Sequence, residues 1–373
     1  MKTAVLSCLH PYRGGISQFG GRMVSELGKE HEVRAFNFSR QYPSFLFPGK
    51  TQYVPPGDEA SAVQSERLLD SVNPFSWGRT ARAILDWGPE LVVVNWWMSF
   101  FGPSEGRVVR ILKGNGVKTV GVLHNVIPHE PHFYDKPLTR YFLGGCSGLV
   151  TLSGDVTRSL DSLGSYRRTE LFHPVYNQFG NPVPRQEAER ALGLRPGMKN
   201  LLFFGLIRKY KGLDILLKAF ETLPEDYQLI VAGEPYGSFD EYRAIIDESP
   251  AKSRIHCFLD YVKDSEVKTF FSCADLSVLP YRSATQSGVR AVSYSFGVPM
   301  VVTDTGSLRE DVALTGTGLV AEKAEPGAVA AEIRRFFDTP GLPEKCRENI
   351  RTELERLSWQ SFCSKLLEFC DTL

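Results

Sequence analysis

Arg208 and Lys211 stand three residues apart between Gly205 and Gly212, in the stretch LLFFGLIRKYKGLDILLKAF that runs from 201 to 220. The apolar run Leu201–Phe204 reads as a strand buried on both faces, and Leu213, Leu216, Leu217 and Phe220 recur at helical spacing. A strand that turns through glycine into a helix collects backbone N–H groups, the positive end of a helix dipole and two cations around one small volume. That chemistry suits a diphosphate. The same two cations in a strand-to-helix loop also suit plain solvation, and spacing alone leaves both readings open.

Two further clusters carry candidate chemistry. Gly14 and Gly15 follow the apolar stretch TAVLSCL, where a tight turn would let backbone amides approach a sugar or phosphate, or would simply turn the chain. This loop has neither the G-x-G-x-x-G of a dinucleotide site nor a complete P-loop, because Gly21 and Arg22 stand where the latter needs lysine and a hydroxyl. His124 ends the strand-like run Val120–Leu123, at the edge where open α/β sheets bind ligands. His129, Glu130 and His132 invite a metal, but the order is H-E-P-H rather than H-E-x-x-H, and Pro131 would break the helix that motif requires. No metal site is expected.

Positioning these residues takes two domains. At 373 residues the chain exceeds one ordinary core and fits two halves of about 180 residues. Residues 3–9, 32–38, 91–97, 120–123 and 149–152 read as strands of a first sheet, with a crossover helix at 77–87. Residues 201–204, 227–233, 254–262, 275–281, 298–304 and 318–322 read as strands of a second. The proline- and glycine-rich exit 172–185 places the junction near 180–195, with domains expected at 1–185 and 195–357. The expected fold class is therefore α/β, two doubly wound, Rossmann-like parallel sheets.

Forty-three basic residues balance forty-three acidic ones, so no global field favours nucleic acid. Seven cysteines without a C-x-x-C pair fit a reduced compartment. No cleavable leader and no apolar run near the ~20 residues of a bilayer helix are evident. A cytoplasmic protein is expected. The apolar loop 41–50 suits contact with a lipid-like acceptor or the inner membrane face, but folding back onto its own domain is the favoured reading. The helix with Arg107, Arg110 and Lys113 suits an anionic lipid surface or plain solvation.

The ordered set formed by the Gly-Gly loop, His124, GLIRKYKG (205–212), VAGEPYG, LDYV, LPY and GVPMVVTDTGS resembles GT-B-fold glycosyltransferases, specifically family four. The resemblance implies two domains facing a central cleft, with helix 358–373 packing back on the N-terminal one. It implies Arg208 and Lys211 on the diphosphate of a nucleotide sugar, Gly205 beneath them and His124 reaching the transferred sugar. Backbone near Tyr261 and Val262 would meet the base, and Glu310 falls where the family has a G-G-x-x-E turn. The implied activity moves a sugar to a glycan, glycolipid or lipid-linked acceptor, with retention, without metal or further cofactor, in polysaccharide or glycoconjugate synthesis.

One departure from the pattern is explicit. The family's paired glutamates would fall at Ala284 and Val292, and neither is present. Gln286, Ser287 and Gly288 offer an amide, a hydroxyl and free N–H groups instead. A sugar-nucleotide epimerase, a silent nucleotide-sugar-binding subunit and a dehydrogenase on the same sheets are the alternatives.

Overall fold

The computed structural model describes residues 1–43, 51–54, 62–127, 132–175, 179–284 and 287–373. Two compact units emerge: Met1–Pro174 joined by Leu357–Leu373, and Val175–Arg356.

The N-terminal unit runs β1 (Lys2–Ser7), α1 (Gly15–Leu27), β2 (Glu32–Arg40), β3 (Glu66–Asp70), α2 (Pro74–Trp87), β4 (Leu91–Trp96), α3 (Gly102–Gly114), β5 (Lys118–Leu123), α4 (Asp135–Leu143), β6 (Gly148–Thr151), α5 (Gly154–Asp161) and β7 (Arg168–Glu170). Among the described residues its seven strands are all parallel, in the order β3-β2-β1-β4-β5-β6-β7. The central strands are continuous apolar runs because helices cover both faces of the sheet. Leu91–Val94 is wholly buried. On one face Ile84, Val108, Leu112 and Phe142 form a core with Val92 and Val94. On the other, Phe19 and Met23 pack with Val93 and Val122. Helix α2 starts where the Asn73 side chain accepts the Phe75 amide at 3.1 Å, with Pro74 at its first position, and stops at Gly88 in the left-handed region.

The C-terminal unit runs α6 (Arg185–Ala191), β8 (Lys199–Phe204), α7 (Leu213–Phe220), β9 (Tyr227–Ala232), α8 (Asp240–Glu248), β10 (Ile255–Phe258), α9 (Asp264–Cys273), β11 (Leu276–Leu279), α10 (Gly288–Ser295), β12 (Met300–Thr303), α11 (Leu308–Ala313), β13 (Gly318–Ala321), α12 (Pro326–Asp338) and α13 (Leu342–Arg356). Among the described residues its six strands are parallel and ordered β10-β9-β8-β11-β12-β13. The last helix, α14 (Trp359–Asp371), buries Trp359, Phe362 and Leu366 against Phe19 and Met23 of the N-terminal unit.

The chain divides at 174/175, earlier than the 180–195 junction read from composition. The reason is packing: Phe179, Ala188 and Leu194 are buried with Leu202 and Ile230, and Arg185 is held by Asp275 at 2.5 Å and Glu189 at 2.7 Å. The strand expected over 254–262 ends at Phe258, so Tyr261 and Val262 lie in the following loop. Strand order reverses between β1 and β4 in one sheet and between β8 and β11 in the other. At such switch points the loops leave in opposite directions and open a crevice at the strands' C-terminal ends.

Candidate anion site in the C-terminal unit

The loop after β8 occupies the second switch point. Gly205 donates its amide to Ala232 O at 2.8 Å, Ile207 to Glu234 O at 2.9 Å, and Tyr236 returns its amide to Ile207 O at 2.9 Å. These bonds zip the 205–208 segment to the loop after β9. Residues Lys209–Lys211 then form one 3₁₀ turn, closed by Gly212 at φ 69°. A Cβ at Gly212 would fall 2.1 Å from Pro280 O, so only glycine lets the start of α7 lie against the end of β11.

This folding turns Lys211 inward. The residue is 9% exposed, its Nζ is 5.7 Å from the Tyr281 ring centroid, and it lies 3.3 Å from where a Gly205 Cβ would be. Gly205 therefore leaves room for the ammonium beside the strand end. Arg208 lies over the Tyr236 ring at 4.1 Å and near Tyr210 at 5.7 Å, contacts that fix its plane without neutralising it. Among the described residues neither Arg208 nor Lys211 forms an ion pair. The adjacent carboxylate, Asp214, is taken by Arg282 at 2.5 and 2.8 Å, and Arg282 also donates to Lys209 O and Tyr210 O. Burial, and then the charge of Arg208, push the Lys211 pKa down to about 8. Two cations thus stand close enough in this loop for the charge of one to shift the other.

Helix α10 brings its N-terminus to the same place, since Val289 Cγ2 would meet a Gly205 Cβ at 3.4 Å. Ser287 caps it without a side-chain hydrogen bond to the helix, is buried, and meets Tyr281 Oη at 3.4 Å. The first amides, at Gly288 and Val289, have no intrahelical acceptor by position. Arg290, one turn on, is buried but faces Asp311 at 3.3 Å, so its charge is spent within the fold. Two cations, a glycine-floored recess and a helix N-terminus thus converge on one volume that can stabilise a dianion.

The remaining expected residues are placed as follows. Tyr261 and Val262 are half-buried after β10 at the same sheet edge, and Glu310 is exposed in the first turn of α11 beyond β12. Gln286 lies outside the described residues, as do His129 and Glu130 and most of the 41–50 loop. Val292, on α10, is buried in the core that helix covers, so the position where the resembled family carries its second glutamate is apolar here. Tyr236 and Tyr281 were not singled out from the sequence. Their contacts join loops far apart in the chain, and only the VAGEPYG and LPY segments hinted at them.

In the N-terminal unit Gly14 sits at φ 103° before α1, with nothing within 4 Å of where its Cβ would be, and Gly15 is exposed as the first residue of that helix. His124 is 3% exposed. Its amide donates to Trp96 O at 2.8 Å, Nε2 lies 3.4 Å from Asn95 Oδ1, and its ring stands edge-on to Phe19 at 4.5 Å. Burial, and then His173, hold its pKa well below the usual histidine value, so the imidazole is neutral.

Residues 184–353 match the family model for glycosyl transferases group 1. D-inositol 3-phosphate glycosyltransferase of Corynebacterium urealyticum is 26% identical over 52% of this chain and 48% of its own. The lipopolysaccharide core biosynthesis mannosyltransferase LpsB of Rhizobium meliloti is 26% identical over 54% of this chain and 58% of its own. The chain thus spans about half the length of the curated relatives it matches. In fold, Anabaena HepE, solved in complex with UDP, superposes with a TM-score of 0.78 at 14% identity over the full length of both chains. The architecture is GT-B, and the resemblance to group 1 glycosyl transferases read from the sequence is borne out.

Proposed function

We propose, from a GT-B chain whose residues 184–353 carry the glycosyl transferases group 1 signature, that this protein transfers a sugar from a nucleoside-diphosphate donor to a hydroxyl acceptor. The observation that carries this reading is the couple Arg208 and Lys211, in no ion pair among the described residues, with the Lys211 ammonium and the first turn of α10 both lying against Gly205. Breaking the bond between the anomeric carbon and the diphosphate builds negative charge on the leaving phosphate. Groups fixed on that phosphate bind the transition state better than the ground state. Lys211 and Arg208 supply fixed charge, and Gly288 and Val289 supply N–H groups without reorganisation.

The base is assigned to the loop at Tyr261 and Val262, and the sugar to Ser287, Gln286 and Glu310. Ser287 and the amide of Gln286 replace the carboxylates absent at Ala284 and Val292, so neutral groups stand in for that pair, with Glu310 the one carboxylate assigned to the sugar. His124, as a neutral imidazole, is assigned to a hydrogen bond with a sugar hydroxyl rather than to proton transfer, and Gly14 and Gly15 to close backbone approach by substrate. Retention, with the leaving phosphate accepting the acceptor's proton, fits a donor site built from cations, and so does chemistry without a metal ion. The acceptor is a glycan or lipid-linked glycan of a polysaccharide or glycoconjugate, and the reaction takes place in the cytoplasm.

A thermal-shift series with uridine, guanosine and adenosine diphosphates tests the donor assignment, because a ligand that binds only the folded state raises the melting temperature with its affinity. One of the three raises it in the wild type and does so much less in Lys211→Ala. No shift with any nucleoside diphosphate, together with no sugar transfer, overturns the reading.

A further inference from the structure

Helices α2, α3 and α4 pack side by side over one face of the N-terminal sheet, and their outward residues are unlike the rest of the surface. Arg79 and Arg82 on α2, Arg107, Arg110 and Lys113 on α3, and Lys136 and Arg140 on α4 are all exposed. Asp86 is the exposed acid on these helices, since Glu105 and Asp135 are buried. Among the described residues none of the seven cations pairs with a carboxylate. Arg110, Lys113 and Arg140 donate to backbone carbonyls instead. The helices on the opposite face, α1 and α14, carry Arg22 and Lys365 against Glu26, Glu368 and Asp371. In a chain of zero net charge, this layer is a deliberate concentration of one sign.

Apolar side chains gather on the same layer. Of the eleven large hydrophobic residues that are exposed among the described ones, six belong to α2 and α4 or to the loops that lead into the three helices: Val72, Phe75, Met98, Phe133, Tyr134 and Tyr141. Phe133 is 93% and Phe75 85% exposed. All three helices follow parallel strands, so their N-terminal ends, and with them Val72, Phe75, Met98, Phe133 and Tyr134, share the C-terminal edge of the sheet. Phe75, Arg79 and Arg82 form one stripe along α2. Tyr141 lies under the Arg110 guanidinium at 4.4 Å, which places cation and aromatic together between α3 and α4.

We propose that the α2–α3–α4 face is a docking surface for a membrane leaflet rich in anionic lipid, with the cations on headgroup phosphates and the Phe75–Phe133 rim in the acyl boundary. Basic residues near an anionic leaflet each strengthen binding, and apolar side chains at the boundary add a part that salt does not screen. The aliphatic members decide against nucleic acid or another soluble polyanion. Val72 and Met98 offer no stacking face and no charge, and exposing them gains nothing unless an apolar phase covers them. None of the residues of this surface is among those assigned to substrate, so the proposal does not rest on the donor reading.

The test is sedimentation of the full chain with vesicles of phosphatidylcholine alone and of phosphatidylcholine mixed with phosphatidylglycerol, beside retention on heparin. The wild type sediments with the mixed vesicles and not with the neutral ones. Arg79→Glu with Arg107→Glu weakens that binding about 10- to 100-fold. Phe75→Ser with Phe133→Ser weakens it about tenfold, leaves heparin retention unchanged and leaves a residue of binding that salt abolishes. Both pairs are at exposed positions, and an unchanged melting temperature confirms that they fold. Failure of the wild type to bind mixed vesicles overturns the proposal. So does vesicle binding that the phenylalanine pair leaves intact, which would identify a surface for soluble polyanions.

Discussion

Glu105 and Lys211 are buried ionisable side chains of two units built to the same parallel-sheet plan, and they meet burial in opposite ways. Burial raises the Glu105 pKa well above the carboxylate range, and neither carboxyl oxygen has a hydrogen-bond partner among the described residues. His124 is likewise neutral in that unit, its pKa lowered by burial and by His173. At these two positions burial favours the uncharged form. Lys211 is shifted only to about 8 and stays cationic at neutral pH, beside Arg208, with Asp214 diverted to Arg282. The contrast shows where an anion is worth most: in a recess of low dielectric that already carries unbalanced positive charge.

That contrast can be broken by substitution, and the largest effect belongs to Lys211. In Lys211→Ala, turnover falls about 10²- to 10³-fold with the fold intact, because the lost interaction is concentrated on the departing phosphate. Steady-state transfer assays check this, and unchanged turnover removes Lys211 from the site. Gly212→Ala acts through the backbone. With φ at 69° and a Cβ 2.1 Å from Pro280 O, it destabilises the C-terminal unit by about 2–4 kcal/mol in urea unfolding.

Two pH experiments sharpen the comparison, one for each unit. Lys211 binds an anion only while protonated, so the affinity for a nucleoside diphosphate is level below pH 8 and falls by up to about tenfold per pH unit above it. The slope disappears in Lys211→Ala. For Glu105 the sign runs from a folded pKa raised above the unfolded one: its contribution is full below the unfolded value and is lost as pH rises toward the folded value. Glu105→Gln therefore gains stability on the wild type as pH rises from 5 to 8, by at least about 1 kcal/mol in melting experiments. The smallest effect expected is that of Tyr236→Ala. Releasing the Arg208 guanidinium from its stack weakens nucleoside-diphosphate binding by about two- to fivefold in calorimetry.

Much of the architecture was legible in the sequence because buried parallel strands are continuous apolar runs. Leu91–Val94 and Leu201–Phe204 announce themselves in this way. The edge strands do not. ERLLD and RTE at β3 and β7 each face neighbours on one side and water on the other, and they carry too few apolar residues to register. The strand read over 254–262 stops at Phe258, for LDYV resembles a strand in composition while forming a loop at the edge of the sheet. The glycine-flanked cations were visible as a spacing. Their isolation from carboxylates was not, because it depends on Arg282 reaching Asp214 across 68 residues of chain. The basic helices were visible one at a time, and only the packing of α2 on α3 and of α3 on α4 gathers Arg79, Arg107 and Lys136 onto one face.

Calorimetric titration of the nucleoside diphosphate that shifts melting, into wild type, Lys211→Ala and Lys209→Ala at pH 7, tests the central claim most directly. Lys209 is the exposed neighbour two residues away and serves as the control for mere local charge. A Kd raised at least about tenfold by Lys211→Ala and left within about twofold by Lys209→Ala is the predicted result. Equal weakening by both substitutions, or by neither, would contradict a diphosphate held at the inward-turned lysine.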